Sequence, residues 1–118
     1  MKYLCLVYGE EAPMREQRDR HCMDYVEKLV ASGHFIAGQA LQPVETATTV
    51  RVRNGKVSVT DGPFAETREQ LAGFYLIEAD DLNDAIRVAA GIPPAQIGSI
   101  EVRPIRELQP DGQGEQHE

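Results

Sequence analysis

Tryptophan is absent from this 118-residue chain, cysteine occurs only twice, and all apolar runs are short. A membrane-spanning helix needs roughly 20 apolar residues in a row, so the sequence excludes one. The chain also lacks the basic stripe with which nucleic-acid-binding proteins neutralise phosphates, and its formal net charge is −7. Because no Gly-x-Gly-x-x-Gly or phosphate-loop pattern is present, a nucleotide cofactor has no support. The length is that of one globular domain.

Metal-ligand and disulfide patterns are missing as well. The histidines, His21, His34 and His117, show no ligand spacing, which predicts no metal site. Cys5 and Cys22 each lie in an apolar run and are expected to be free thiols. The apolar run near the start of the chain is too short for a signal peptide, so we expect a cytoplasmic protein. We also expect that the protein uses no cofactor.

Acidic residues are concentrated at the end of the chain. Residues 107–118 carry a charge of −4 without any Lys or Arg, and residues 1–106 carry −3. The end segment also contains Pro and Gly among polar residues, a composition typical of disorder. We therefore predict one domain over residues 1–106 and an acidic, disordered tail over residues 107–118.

Hydrophobic periodicity predicts alternating strands and helices. The first strand, residues 3–8, is apolar on both faces, which indicates a central strand covered on both sides. One long helix is predicted to run from Pro13 to an end at Gly33, and another to follow the N-cap Asp81. The other predicted elements are strands at residues 34–41, 46–53, 56–60, 74–79 and 100–105 and a single helical turn between Thr67 and Gly73.

The dipeptide Asn54-Gly55 predicts a β-hairpin, because it separates two runs of alternating β-branched residues. A two-residue turn pairs Val52 with Val57 and, further along, Thr48 with Asp61. Since side chains alternate between the faces of a strand, Asp61 is expected on the apolar face that the valines share.

The segment that follows the hairpin predicts a fixed change of direction. Gly62 can adopt backbone angles closed to other residues, and Pro63 fixes its own φ. The carboxylate of Asp61 is expected to accept hydrogen bonds from the amides just ahead of it. The same residues also suit a plain tight turn with no further role.

The order of elements predicts an α+β fold whose antiparallel sheet carries both main helices on one face. The first strand is apolar on its other face too, and no further helix is available to cover it. A symmetric partner sheet meets this need, so we expect a homodimer whose sheets pack face to face.

The chain resembles the DGPF-domain branch of the YCII-related family. The likeness rests on Asp-Gly-Pro-Phe-Ala-Glu-Thr at residues 61–67 with the residues that follow, on Ala-Gly-Gln-Ala-Leu at residues 37–41, and on Ser-Ile-Glu-Val-Arg-Pro at residues 99–104. It implies a ferredoxin-like, dimeric α+β barrel. It also implies a possible association with extracytoplasmic-function sigma factors, beside which relatives are often encoded.

Three polar residues are expected near apolar surroundings. A helical projection puts Arg18 in the middle of the apolar stripe of the first helix and His21 at its edge. The resemblance matches His21 to a helix histidine that YCII relatives carry, where a His–Asp pair is thought to act in lyase-like chemistry. His21 and Asp61 are therefore the candidate catalytic pair, since histidine transfers protons near neutral pH and a carboxylate can orient it.

The candidate substrate-binding residues are Arg18, Tyr8, Tyr25, Phe64 and Glu66. The resulting hypothesis is a cofactor-free small-molecule enzyme that catalyses an elimination or isomerisation. Two alternatives stay open: a non-catalytic module that binds a ligand or a protein, and a purely structural network in which Arg18 pairs with Asp61 or Glu66.

Overall fold

A computed structural model describes residues 1–110, and residues 111–118, which hold most of the predicted tail, lie outside the described part. The elements in chain order are β1 (Lys2–Gly9), α1 (Glu11–Glu16), α2 (Asp19–Ser32), β2 (Phe35–Ala40), β3 (Thr48–Arg53), β4 (Lys56–Asp61), β5 (Gln70–Glu78), α3 (Leu82–Gly91) and β6 (Gly98–Pro104). Short 3-10 turns occur at Val44–Thr46 and Pro93–Gln96.

Four strands form the main sheet in the order β2-β5-β1-β6, and all neighbours are antiparallel. The central position of β1 was predicted from its two apolar faces and is confirmed. Tyr3, Cys5 and Val7 lie on one face of β1 and are buried against residues of α2 and α3 such as Leu29 and Val88. The predicted α+β class is therefore confirmed, and the open sheet with its helices is ferredoxin-like.

The opposite face of the sheet is apolar but carries none of the described helices. Leu4, Leu6 and Tyr8 alternate with the buried residues of β1 and are only half-buried. The register places Leu4 beside Leu76 and Leu6 beside Phe74 on this same face. We call this surface the open face. None of the described helices covers its apolar side chains, which stay partly accessible, because the core cluster with its helices lies on the other side.

The remaining strands, β3 and β4, form a separate two-stranded sheet. Val52 pairs with Val57 and Thr48 with Asp61, so the predicted register is confirmed. The turn residues Asn54 and Gly55 have φ angles of 53° and 76°, the positive values that a tight two-residue hairpin turn requires.

We call residues 48–61 the arm, because they extend away from the main sheet. Its valines are 57–68% exposed, namely Val50, Val52, Val57 and Val59. The radius of gyration is 16.4 Å, whereas a compact domain of this size has a value of about 13 Å. The apolar face of the arm is thus not covered by the rest of the described chain.

The predicted long first helix is divided in two. Gln17 and Arg18 have extended backbone angles between α1 and α2. The side-chain amide of Gln17 donates a hydrogen bond of 3.1 Å to the carbonyl of Pro93, which ties the break to a distant part of the chain. The projection of Arg18 onto a helical stripe was therefore wrong. The end of the helix was right, since Gly33 has the left-handed φ of 83°.

The predicted helical turn between Thr67 and Gly73 was also wrong. Strand β5 begins at Gln70, because Leu71 pairs with Tyr8 and Gly73 pairs with Ala40. The N-cap of α3 is as predicted: the carboxylate of Asp81 accepts a hydrogen bond of 2.8 Å from the backbone N–H of Asp84.

The buried thiol of Cys5 predicts a loss of stability at alkaline pH. Burial raises the pKa of Cys5 to about 11, from 9.0 in its ordinary state. The unfolded chain therefore loses this proton first, so the free energy of unfolding falls between pH 9.0 and about 11. A shift of this size corresponds to at most about 2–3 kcal/mol.

Urea unfolding of the parent and of Cys5→Ala at several alkaline pH values would measure this loss. Cys5→Ala should be less stable at neutral pH because it leaves a small cavity, but its stability should fall less over the alkaline range. Tyr75 also titrates at alkaline pH, but its pKa is raised mainly by burial, which the two proteins share. If the free energy of unfolding depends on pH in the same way for both proteins, ionisation of the Cys5 thiol does not oppose folding.

Candidate functional site

A cavity of about 630 Å³ lies between α1 and α2 on one side and the edge of the sheet formed by β2 and β5 on the other. The break between α1 and α2 borders it, since Gln17 and Arg18 both contribute to its wall. Most of the lining is apolar, including Met14, Met23, Val26, Leu41, Pro43 and Leu71. Its concave shape and apolar wall make it a candidate ligand site.

Cys22 and Tyr75 form a polar pair in the wall of the cavity. Burial is the main cause that raises the pKa of Tyr75 to about 12. Burial also raises the pKa of Cys22, while a hydrogen bond with Tyr75 acts in the opposite direction. Both groups are therefore protonated at neutral pH. An activated cysteine would need a lowered pKa, so this pair supplies hydrogen bonding and not a nucleophile.

Charged residues at the cavity differ in whether they have partners. The carboxylate of Glu11 accepts a hydrogen bond of 2.6 Å from the backbone N–H of Val44 and lies 4.0 Å from Arg15. Arg18 is exposed, precedes the first turn of α2, and makes no ion pair with any residue in the part of the chain that is described. Arg18 is thus the uncompensated cation of the cavity wall.

The structure does not bring the predicted catalytic pair together within one chain. His21 is exposed on α2 and Asp61 is exposed at the end of β4, and neither lines the cavity. No side-chain hydrogen bond or ion pair among residues 1–110 joins them to each other or to Arg18, although the backbone N–H of His21 donates a hydrogen bond of 3.1 Å to the Arg18 carbonyl in the first turn of α2. Their assignment to one site stays a prediction that needs a second chain.

The other predicted binding residues are dispersed. Tyr8 lies on the open face, and Phe64 and Glu66 are exposed in the loop before β5, where Phe64 is 79% accessible. The hydroxyl of Tyr25 donates a hydrogen bond of 2.6 Å to the carbonyl of Val88 and so connects α2 with α3. Among the predicted site residues, Arg18 alone contributes to the cavity wall.

The turn at Asp61 is held differently from the prediction. The backbone N–H of Gly62 donates a hydrogen bond of 2.7 Å to Ala47, and the hydroxyl of Thr49 donates one of 2.8 Å to the Gly62 carbonyl. The Asp61 carboxylate accepts no hydrogen bond from residues 1–110, so its expected role in the turn was wrong. The expected freedom of Gly62 was right, because its φ is 99°.

Sequence reasoning missed a cluster around His34 and Asp84. The ring Nε2 of His34 lies 3.1 Å from Asp84 Oδ2, and its Nδ1 lies 2.7 Å from the hydroxyl of Ser32. Arg87 donates a hydrogen bond of 2.9 Å to Asp84 Oδ1. The pKa of Asp84 is lowered, first by the hydrogen bond from the backbone N–H of Asp80 and further by His34 and Arg87.

These residue types occur in hydrolase triads, but none of them lines the cavity. The cluster instead joins the end of α2 to the first turn of α3, which makes it an anchor of the fold. The signal was weak in the sequence, because His34 and Asp84 are 50 residues apart.

Comparison with known proteins identifies the family. The family model of the YCII-related domain matches residues 1–109. The chain belongs to the YCII-related family. An uncharacterised protein of Rhizobium meliloti is 38% identical over 119 residues, an alignment that covers 93% of this chain and 96% of the relative.

Two further features bear on this YCII-related protein. Residues 1–110 contain no group of at least three His, Cys, Asp or Glu side chains placed to hold a metal ion. None of their helices is long and apolar enough to cross a membrane. Membership of the DGPF branch and the link to sigma factors stay predictions.

Proposed function

We propose that this YCII-related protein is a cytoplasmic homodimer that binds a small molecule, without a cofactor, in the cavity between α1, α2 and the β2–β5 edge. The observation that carries the proposal is the cavity itself, whose volume of about 630 Å³ lies within the range of known ligand sites. Such sites are mostly apolar and contain a few polar groups that orient the ligand. Here Arg18, Cys22 and Tyr75 supply those groups.

Filling the cavity should abolish binding. Ala40 is exposed on β2 and lines the cavity, whereas Ala31 is exposed on α2 and does not. We expect Ala40→Trp to weaken the binding of an amphipathic, anionic probe, 1-anilinonaphthalene-8-sulfonate, by about tenfold or more, which is about 1.4 kcal/mol. Ala31→Trp serves as the matched control and should bind as the parent does. If all three proteins give the same fluorescence titration curve, the probe binds elsewhere and the proposed site is wrong.

The homodimer is inferred from the two apolar surfaces that one chain leaves uncovered. The first is the open face, and the second is the valine face of the arm. Around a two-fold axis the same patch of each subunit faces the other subunit, and every contact therefore occurs twice. One such interface can bury both surfaces. Phe64, which follows the arm, adds to the exposed apolar area. Large exposed apolar surfaces are typical of interfaces.

Charge introduced on the valine face should dissociate the dimer. Val57 and Val59 lie on this face of β4, and Ser58 between them points to the other face. We expect Val57→Lys with Val59→Lys to give a monomer by sedimentation velocity, and Ser58→Lys to stay dimeric. A monomeric parent protein, or dissociation of the serine variant alone, would contradict the inferred interface.

Acid–base catalysis by His21 and Asp61 is the second candidate. It is favoured by the position of Asp61, which shares the valine face of the arm. A partner that covers the valines also meets this carboxylate, so the dimer could place it beside the partner's His21. In a lyase- or isomerase-like reaction His21 would transfer a proton, Asp61 would orient the imidazole of His21, and Arg18 would hold an anionic substrate.

Disulfide trapping tests whether the two residues meet. We expect His21→Cys with Asp61→Cys, in a Cys22→Ser background, to form a covalent dimer under mild oxidation, since a disulfide requires Cα atoms within about 7 Å. The control pairs His21→Cys with Ser58→Cys, whose side chain lies on the other face of the arm. If both pairs stay reduced while the protein is dimeric, the catalytic pair does not exist.

A further inference from the structure

We propose that the ligand of the cavity is an amphipathic carboxylate, with a flexible aliphatic body inside the cavity and its carboxylate at Arg18. This inference rests on the proposed function, because it names the chemical class that the same cavity would take. It is argued from three features of the wall: the state of its charges, the state of its buried polar groups, and the kind of apolar side chain that lines it.

The charges of the wall leave one cation without a partner. Arg15 lies near Glu11, whose carboxylate is also engaged by the backbone of Val44. Asp19 occupies the first turn of α2, where the free backbone N–H groups of a helix favour a negative side chain. Glu27 lies two turns further along the same helix. Arg18 therefore stands alone at the break between α1 and α2, and a carboxylate matches the fork geometry of its guanidinium with two parallel hydrogen bonds.

The buried polar groups of the wall need no partner from the ligand. Cys22 and Tyr75 interact closely enough to affect each other's pKa, and among residues 1–110 no fully buried side-chain nitrogen or oxygen atom lacks a hydrogen-bond partner. An apolar ligand segment beside them leaves neither group unsatisfied, so the interior of the cavity can accept a body without polar atoms. The ligand thus carries its polarity at one end, where Arg18 lies.

The apolar side chains of the wall suit a flexible body. Met14 and Met23 line the cavity together with Val26 and Leu41. Methionine side chains are unbranched and adapt to the shape of what they contact, so this wall can follow a flexible alkyl chain. A volume of about 630 Å³ also exceeds the need of a single ring and fits a ligand of drug-like size.

Three eight-carbon probes with different head groups test the charge preference. Isothermal titration calorimetry of the parent dimer should give the tightest binding for octanoate, weaker binding for 1-octanol by about fivefold or more, and the weakest for octylammonium. Arg18→Gln should remove the difference between octanoate and 1-octanol. Arg20→Gln is the matched control: Arg20 is exposed on α2, pairs with Asp24 at 3.9 Å, and does not line the cavity. It should keep the preference of the parent.

The outcomes separate the ligand class from the site. If 1-octanol binds as tightly as octanoate, if Arg18→Gln keeps the preference, or if octylammonium binds best, the anionic class is wrong while the cavity remains a site. The cavity itself is tested by Ala40→Trp in the same titrations. If none of the probes binds the parent, or if binding survives Ala40→Trp, both the ligand class and the proposed function are wrong.

Discussion

The structure depends on one constraint, which is that β1 is apolar on both of its faces. A strand with this composition is stable only when both sides are removed from water. The chain meets the demand on one side, where Tyr3, Cys5 and Val7 pack against α2 and α3. On the other side it supplies no helix within the described residues, and the open face follows from that. The proposed homodimer would cover the open face, and the arm supplies a second apolar surface for the same interface.

The break between α1 and α2 connects the fold to the candidate site. It is tied by the hydrogen bond from Gln17 to Pro93, so a contact with the region before β6 holds the backbone of the wall. The same break removes Arg18 from the helical stripe and leaves it beside the cavity. The cavity is therefore chemically asymmetric: its cation lies at the break, and the rest of its wall is mostly apolar. The cause is a local irregularity of the backbone.

Structural features that depend on neighbouring residues were predicted correctly from the sequence, whereas features that depend on contacts with distant residues were not. The hairpin register was right to the residue because the Asn54-Gly55 turn and the adjacent valines determine it locally. The central strand and the helix end at Gly33 were right for the same reason. The helix break was missed because its partner is Pro93, and the anchor of His34 with Asp84 was missed because it spans 50 residues. The pairing of His21 with Asp61 stays a prediction, because both residues are exposed and no side-chain contact among residues 1–110 joins them.

The two faces of the arm have a consequence for the tendency of the chain to aggregate. One face presents valines, while the other presents Arg51, Arg53 and Lys56. Unpaired hydrophobic strands are templates for the growth of intermolecular sheets, and positively charged side chains on such strands oppose that growth by repulsion. The basic face therefore opposes aggregation through the exposed valines of the arm.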